Sequence, residues 1–150
     1  MRDLVSILEA LADAARTTKD TDLLTEYARR ALARSITSLY KDEQGNLAAM
    51  MLAPQVDAAL SGALQQGDQG TQIAIDPATA QRLLQRIGRE MERMAQQGYQ
   101  PVLICSSRLR LPLRRLTERS LPNLTLLSFG EIVPQINVVS AGLVTLEGGE

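Results

Sequence analysis

The chain is poor in the residues that do chemistry. It has no histidine in 150 residues, which removes the usual general base, the imidazole metal ligand and the Ser-His-Asp arrangement. Its single cysteine, Cys105, sits in the apolar run 102–105 with no base to activate it. It reads as a buried structural thiol. A lone thiol excludes an internal disulfide and suits a reducing compartment. A zinc site would need more cysteines or carboxylates alone. Gly62, Gly67 and Gly70 are spaced wrongly for a phosphate loop, and no lysine follows them. Ser128-Phe129-Gly130 lacks the preceding glycine of a nucleophile elbow. Asn123-Leu124-Thr125 matches a glycosylation sequon without a secretion signal to support it, and Ser106-Ser107 reads as a helix cap. Together these features predict no catalytic residue, no metal and no cofactor.

Arginine is the one functional type in excess. Between positions 82 and 119 nine arginines face only Glu90, Glu92 and Glu118, although the chain as a whole carries a net charge of −1. A run of this kind is either a solvated helix surface or a docking face for an acidic partner. Arg108, Arg110, Arg114, Arg115 and Arg119 are the candidates for docking. Phosphate contact through the same arginines would make an RNA-binding accessory protein. The segment has no interleaved aromatics for base stacking and no recognition-helix motif, so no nucleic-acid partner is expected.

The elements that must carry these residues follow from periodicity. Residues 3–15 read as a helix with a stripe of Leu4, Ile7, Leu8, Leu11 and Ala15. After a polar break at 17–20, a second helix runs from Thr21 to about Tyr40, capped by Asp20 or Asp22. Leu24, Ala28, Leu32, Ile36 and Leu39 form its apolar line. Two helices with a short connection make an antiparallel hairpin, which buries little alone and needs a further surface to pack on. Leu4, Leu8, Leu11, Leu24 and Leu32 are therefore the candidate packing or oligomer face. The charged, glycine-bearing turn 41–46 divides the chain into parts 1–45 and 46–150.

Beyond that turn the order is strand 47–52, helix from Pro54 to about Gln66, loop 67–70 and strand 71–75. A helix follows from Pro77 to about Gln97, with Leu84, Ile87, Met91 and Met94 inward. Asp76-Pro77 sets its start and Gly98 its end. Gly88 inside it suggests a close approach of helix to sheet. Strand 102–105 precedes a helix beginning at Leu111 or Pro112, with 107–110 as a loop or 3₁₀ turn. Strand 124–127, a Pro-containing turn at 131–135, an edge strand 137–144 interrupted by Gly142, and a frayed tail from Leu146 complete the chain. This alternation predicts an α/β domain with helices packed on a small sheet, preceded by the helical hairpin. No apolar run approaches the roughly 18 residues of a membrane span, and Arg2 and Asp3 lead into an amphipathic helix rather than a secretory signal. The expected location is cytoplasmic, without direct membrane insertion.

Five stretches, taken in order, carry a family resemblance: RDLVSILEALAD at 2–13, TKDTDLLTEYARRALARSIT at 18–37, IDPATAQRLL at 75–84, PVLICSSRLRLPLRRLTERSLPNL at 101–124 and LLSFGEI at 126–132. Together they resemble the C-terminal cytoplasmic part of the FlhA/LcrD/InvA (FHIPEP) family, the large export-gate subunit of flagellar and virulence type III secretion systems. TKDTDLLTEY and LTERSLPNL look flagellar, whereas LLSFGEI also occurs in virulence-type members, and the flagellar branch is favoured. The resemblance implies a non-enzymatic interaction module in a nine-membered cytoplasmic ring beneath the export channel. Residues 1–45 would be the end of the third, helical subdomain, and residues 46–150 the fourth, α/β subdomain. Implied partners are other copies in the ring, the coiled-coil stalk and the export ATPase complex. Export cargo and chaperones are also implied, although the family's main chaperone pocket lies in a subdomain outside this sequence.

Overall fold

The structure, a computed structural model, describes residues 21–42, 44–67 and 70–146. The elements are α1 (Thr21–Ala31), α2 (Ala33–Ser38), β1 (Asn46–Leu52), α3 (Pro54–Gly62), β2 (Leu64–Gly67), β3 (Gly70–Ile73), α4 (Pro77–Gln96), β4 (Val102–Cys105), α5 (Ser107–Thr117), β5 (Thr125–Ser128), a 3₁₀ turn (Phe129–Glu131) and β6 (Asn137–Val144). The α/β class expected from the alternation is what forms. The main sheet has the order β5-β4-β1-β6 with every neighbouring pair parallel. Parallel neighbours need helical crossovers, and these put helices on the sheet face.

The strands alternate between two cores. Met50, Leu52, Leu103, Cys105 and Leu126 face α3, α4 and α5, where they meet Val56, Leu60, Leu83, Ile87, Met94, Leu109 and Leu113. Leu47, Ala49, Val102, Ile104 and Leu127 face the other way, against Ile36, Tyr40, Ile132, Ile136 and Val138. The helical segment at the start of the described chain thus packs on the second face of the sheet. The first helix, with Leu4, Leu8 and Leu11, lies outside the described residues, as do Asp20 and the side chain of Asp22.

Several local expectations are corrected. The second helix is not continuous to Tyr40: Leu32, at φ −98° and ψ 12°, separates α1 from α2. The break turns Ile36 onto the sheet and leaves Leu39 71% exposed, off the apolar line assigned to it. The helix at Pro54 stops at Gly62 rather than Gln66, because Leu64–Gly67 pairs antiparallel with Gly70–Ile73 in a separate hairpin. The strand expected at 71–75 therefore does not join the main sheet. In α4 the buried positions are Leu83, Ile87, Glu90 and Met94, with Leu84 and Met91 only half-buried. The helix is rotated from the expected stripe because Glu90 lies inward against Gly142 of β6, where a Cβ would clash with its carboxylate. Gly142 falls beside a β-bulge, since Ala49 pairs Ser140 and Met50 pairs Gly142. Gly88 approaches the Leu121 side chain rather than the sheet, and a Cβ there would meet Leu121 Cδ2 at an ordinary 3.7 Å.

The last helix begins at Ser107, not at Leu111 or Pro112. The chain leaves β4 at Cys105, and Ser106 O accepts from both Leu109 N and Arg110 N at 3.1 Å, closing the first turn at once. Pro112 is accommodated inside the helix; the carbonyl that loses its partner belongs to Arg108, a solvent-exposed residue that water can serve.

Candidate interaction surfaces and a buried ion network

Helix geometry sorts the five candidate docking arginines. At 3.6 residues per turn, Arg108 and Arg115 fall within about 20° of each other, and Arg110 and Arg114 lie on the opposite side of α5. The structure follows this division. Arg108 is exposed, as is Arg119 just beyond the helix end, and Arg115 is half-buried with Nη1 donating to Thr71 O at 3.0 Å. Arg110 is buried and Arg114 half-buried. The five do not share one exposed face. Arg110 is withdrawn from the exposed face of α5 because it sits between two carboxylates.

Those carboxylates come from opposite ends of the described chain. Glu26 of α1 accepts from Arg110 Nε at 3.1 Å, and Glu131 Oε1 lies 3.8 Å from the same nitrogen. Glu131 Oε2 lies 2.8 Å from Arg29 Nη2. This close charge contact lacks hydrogen-bond alignment, and the buried Arg29 Nε has no acceptor among the described residues. Glu131 is only 1% exposed, so its lone pairs must be satisfied from within. Ser128 donates to its Oε1 from the backbone N at 2.9 Å and from Oγ at 3.0 Å. The backbone carbonyl of Glu131 accepts from the Thr37 hydroxyl at 2.7 Å, which ties α2 to the 3₁₀ turn. Burial pushes the Glu26 carboxyl above its ordinary value, and the Arg110 guanidinium only partly offsets that.

No pattern in the sequence singled out Arg29 of α1. Arg29 nonetheless belongs to this network. Glu131 had a readable signal: Ser128-Phe129-Gly130-Glu131 is a capping-box spacing, and the box forms. The pairing of Glu26 with Arg110 across 84 positions had none.

Two open clefts border this region. One, of about 310 Å³, is lined by Arg29, Arg110 and Arg114 with Tyr40 and Asn123. Another, of about 370 Å³, is lined by Leu39, Tyr99 and Val139 beside Tyr40 and Asn46. Leu24 and Leu32 of the candidate packing face are half-buried. Cys105 is buried as expected, and loss of solvation pushes its thiol up to about 12, which leaves it without nucleophilic character near neutral pH. Among the described residues no group of three or more His, Cys, Asp or Glu is placed to hold a metal ion, and no helix is long and apolar enough to cross a membrane.

Comparison with known proteins gives this architecture a family. The family model described as FHIPEP matches residues 1–137. The flagellar biosynthesis protein FlhA of Bacillus subtilis is 33% identical over 146 residues, 97% of this chain and 22% of that protein. The chain thus spans about a fifth of the length of that curated relative. Among solved structures, Chlamydia pneumoniae CdsV superposes with a TM-score of 0.85 at 31% identity, over 95% of this chain and 41% of that one. Nonameric SctV-C from EPEC gives a TM-score of 0.81 at 28% identity, over 95% of this chain and 43% of its own. CdsV has also been solved in complex with CdsO. With the family model matched across most of the sequence and the fold shared throughout, this chain belongs to the FHIPEP family.

Proposed function

We propose that the chain acts as a non-enzymatic docking module, the C-terminal cytoplasmic piece of an export-gate subunit that works within a ring of copies. The observation that carries this reading is the match of nearly the whole chain to CdsV and to nonameric SctV-C. The complex of CdsV with CdsO supports a protein partner for this part of the family. On this reading residues 1–45 belong to the ring-forming helical subdomain and residues 46–150 to the outward subdomain. The implied partners are the coiled-coil stalk and the export ATPase complex.

The docking face then consists of Arg108 and Arg119, the exposed arginines of α5 and the turn after it, with the half-buried Arg115 beside them. Exposed charges of this kind steer an acidic partner and set the on-rate, so binding should fall with salt. The test is calorimetric titration of the chain with the purified coiled-coil stalk at low salt. Reversal to Glu at Arg108 and Arg119 should weaken binding by about tenfold or more. Unchanged affinity would reject this face. Tight binding to mixed RNA in a filter assay, with no affinity for the stalk, would reject the docking role itself.

A further inference from the structure

We propose that the cleft between α1 and α5 is a carboxylate-binding site that takes one acidic side chain of a partner protein. It lies on the side of α5 opposite to Arg108 and Arg115, and so is separate from the docking face above.

Three arginines line this one cleft: Arg29, Arg110 and Arg114. Their counter-charges, Glu26 and Glu131, are not among its lining residues. The cleft therefore presents cations at its wall with the balancing carboxylates placed elsewhere in the network. Donor capacity is left over. Arg29 Nε is buried and without an acceptor among the described residues, a state that costs free energy until an acceptor arrives. Arg114 is held loosely, with Nη1 3.4 Å from Leu124 O and Nε 4.0 Å from Glu118. Glu118 is half-exposed, so its hold on Arg114 is weak and readily exchanged. Tyr40 and Asn123 complete the polar part of its lining.

Charge balance selects the ligand. Glu26 and Glu131 balance Arg110 and Arg29, so the cation left to a ligand is Arg114, held only at 4.0 Å by the half-exposed Glu118, and one such cation suits a monoanion rather than a phosphate dianion. Planar, forked guanidinium donors match a carboxylate in the same way. A volume of about 310 Å³ admits a side chain and some water but not a helix. The occupant is thus a single Glu or Asp side chain from a partner.

The test is an NMR titration of the full 150-residue chain, observing arginine Nε–Hε signals at constant ionic strength. The probes are N-acetyl-glutamic acid α-amide, its glutamine counterpart and inorganic phosphate. The carboxylate should produce saturable shifts at Arg29 and Arg114, and the glutamine compound should produce none. Arg114→Gln should weaken binding by about tenfold or more. Arg114→Lys, which keeps the charge and loses the fork, should also weaken it, whereas Arg108→Gln should leave it unchanged. Linear shifts common to all arginines would overturn the proposal, and so would tighter binding of phosphate than of the carboxylate.

Discussion

The two faces of the sheet are built on different principles. The face toward α3, α4 and α5 is apolar and continuous, and among the described residues Glu90 is a charge buried beside it. The opposite face has a smaller apolar patch, ending in the network of Glu26, Arg29, Arg110 and Glu131. Apolar packing is non-directional and tolerates small shifts. Buried charges tolerate almost none, because each must keep its particular partner. The helical segment is therefore fastened to the α/β body by geometry as much as by burial. The difference teaches that the junction is the more specific of the two surfaces, although it buries less apolar side chain.

Removing one charge at the junction should do the most damage. Glu131→Ala leaves Arg29 and Arg110 without their shared anion and Ser128 N without its acceptor, and should cost about 3–5 kcal/mol in urea unfolding. Leu103→Ala, on the apolar face and fully buried, should cost about 2–5 kcal/mol through lost transfer energy and a cavity. A loss at Glu131 much smaller than that at Leu103 would break the comparison and make the junction secondary. The smallest effect concerns pH. The Glu26 carboxyl titrates above its ordinary value because it is buried, so the folded state binds more protons than the unfolded chain in that window. Stability should fall as pH rises from the ordinary value of 4.5 through the higher folded value, then level off. Glu26→Gln, which keeps an oxygen acceptor for Arg110 and has no proton to lose, should abolish this slope. A slope that persists in the variant would place its origin elsewhere.

The same contrast explains what the sequence disclosed. The apolar runs at 47–52 and 102–105 located β1 and β4. Asp76-Pro77 located the start of α4, where Asp76 accepts from Thr79 N at 3.0 Å. Such signals are local, and local chemistry decides them. The phase of α4 was missed because Glu90 counts as a surface residue until Gly142, 52 positions on, is seen to make room for it. The start of α5 was missed because proline in a helix reads as a boundary, while the short exit from β4 decided the matter. With 107–110 read as a loop the arginines form one group, and only a helix that begins at Ser107 separates Arg108 and Arg115 from Arg110 and Arg114. Only the fold showed which pair faces α1. Glu26 and Arg110 are joined by tertiary structure alone, and no pattern in either segment marks the other.

The place of β6 has a consequence for how the molecule forms. β1 is the first strand of the sheet in the chain and lies between β4 and β6. Its pairing with β6 joins Asn46 to Asn137, 91 positions away. One side of β1 must therefore wait for a strand made long after it, and loop closure over that distance is slow. Until β6 arrives, the backbone of β1 is an open edge flanked by apolar side chains, a template for pairing with another molecule. Between synthesis and completion, the molecule's main hazard is thus a nascent neighbour, and conditions that crowd unfinished chains together should select against it.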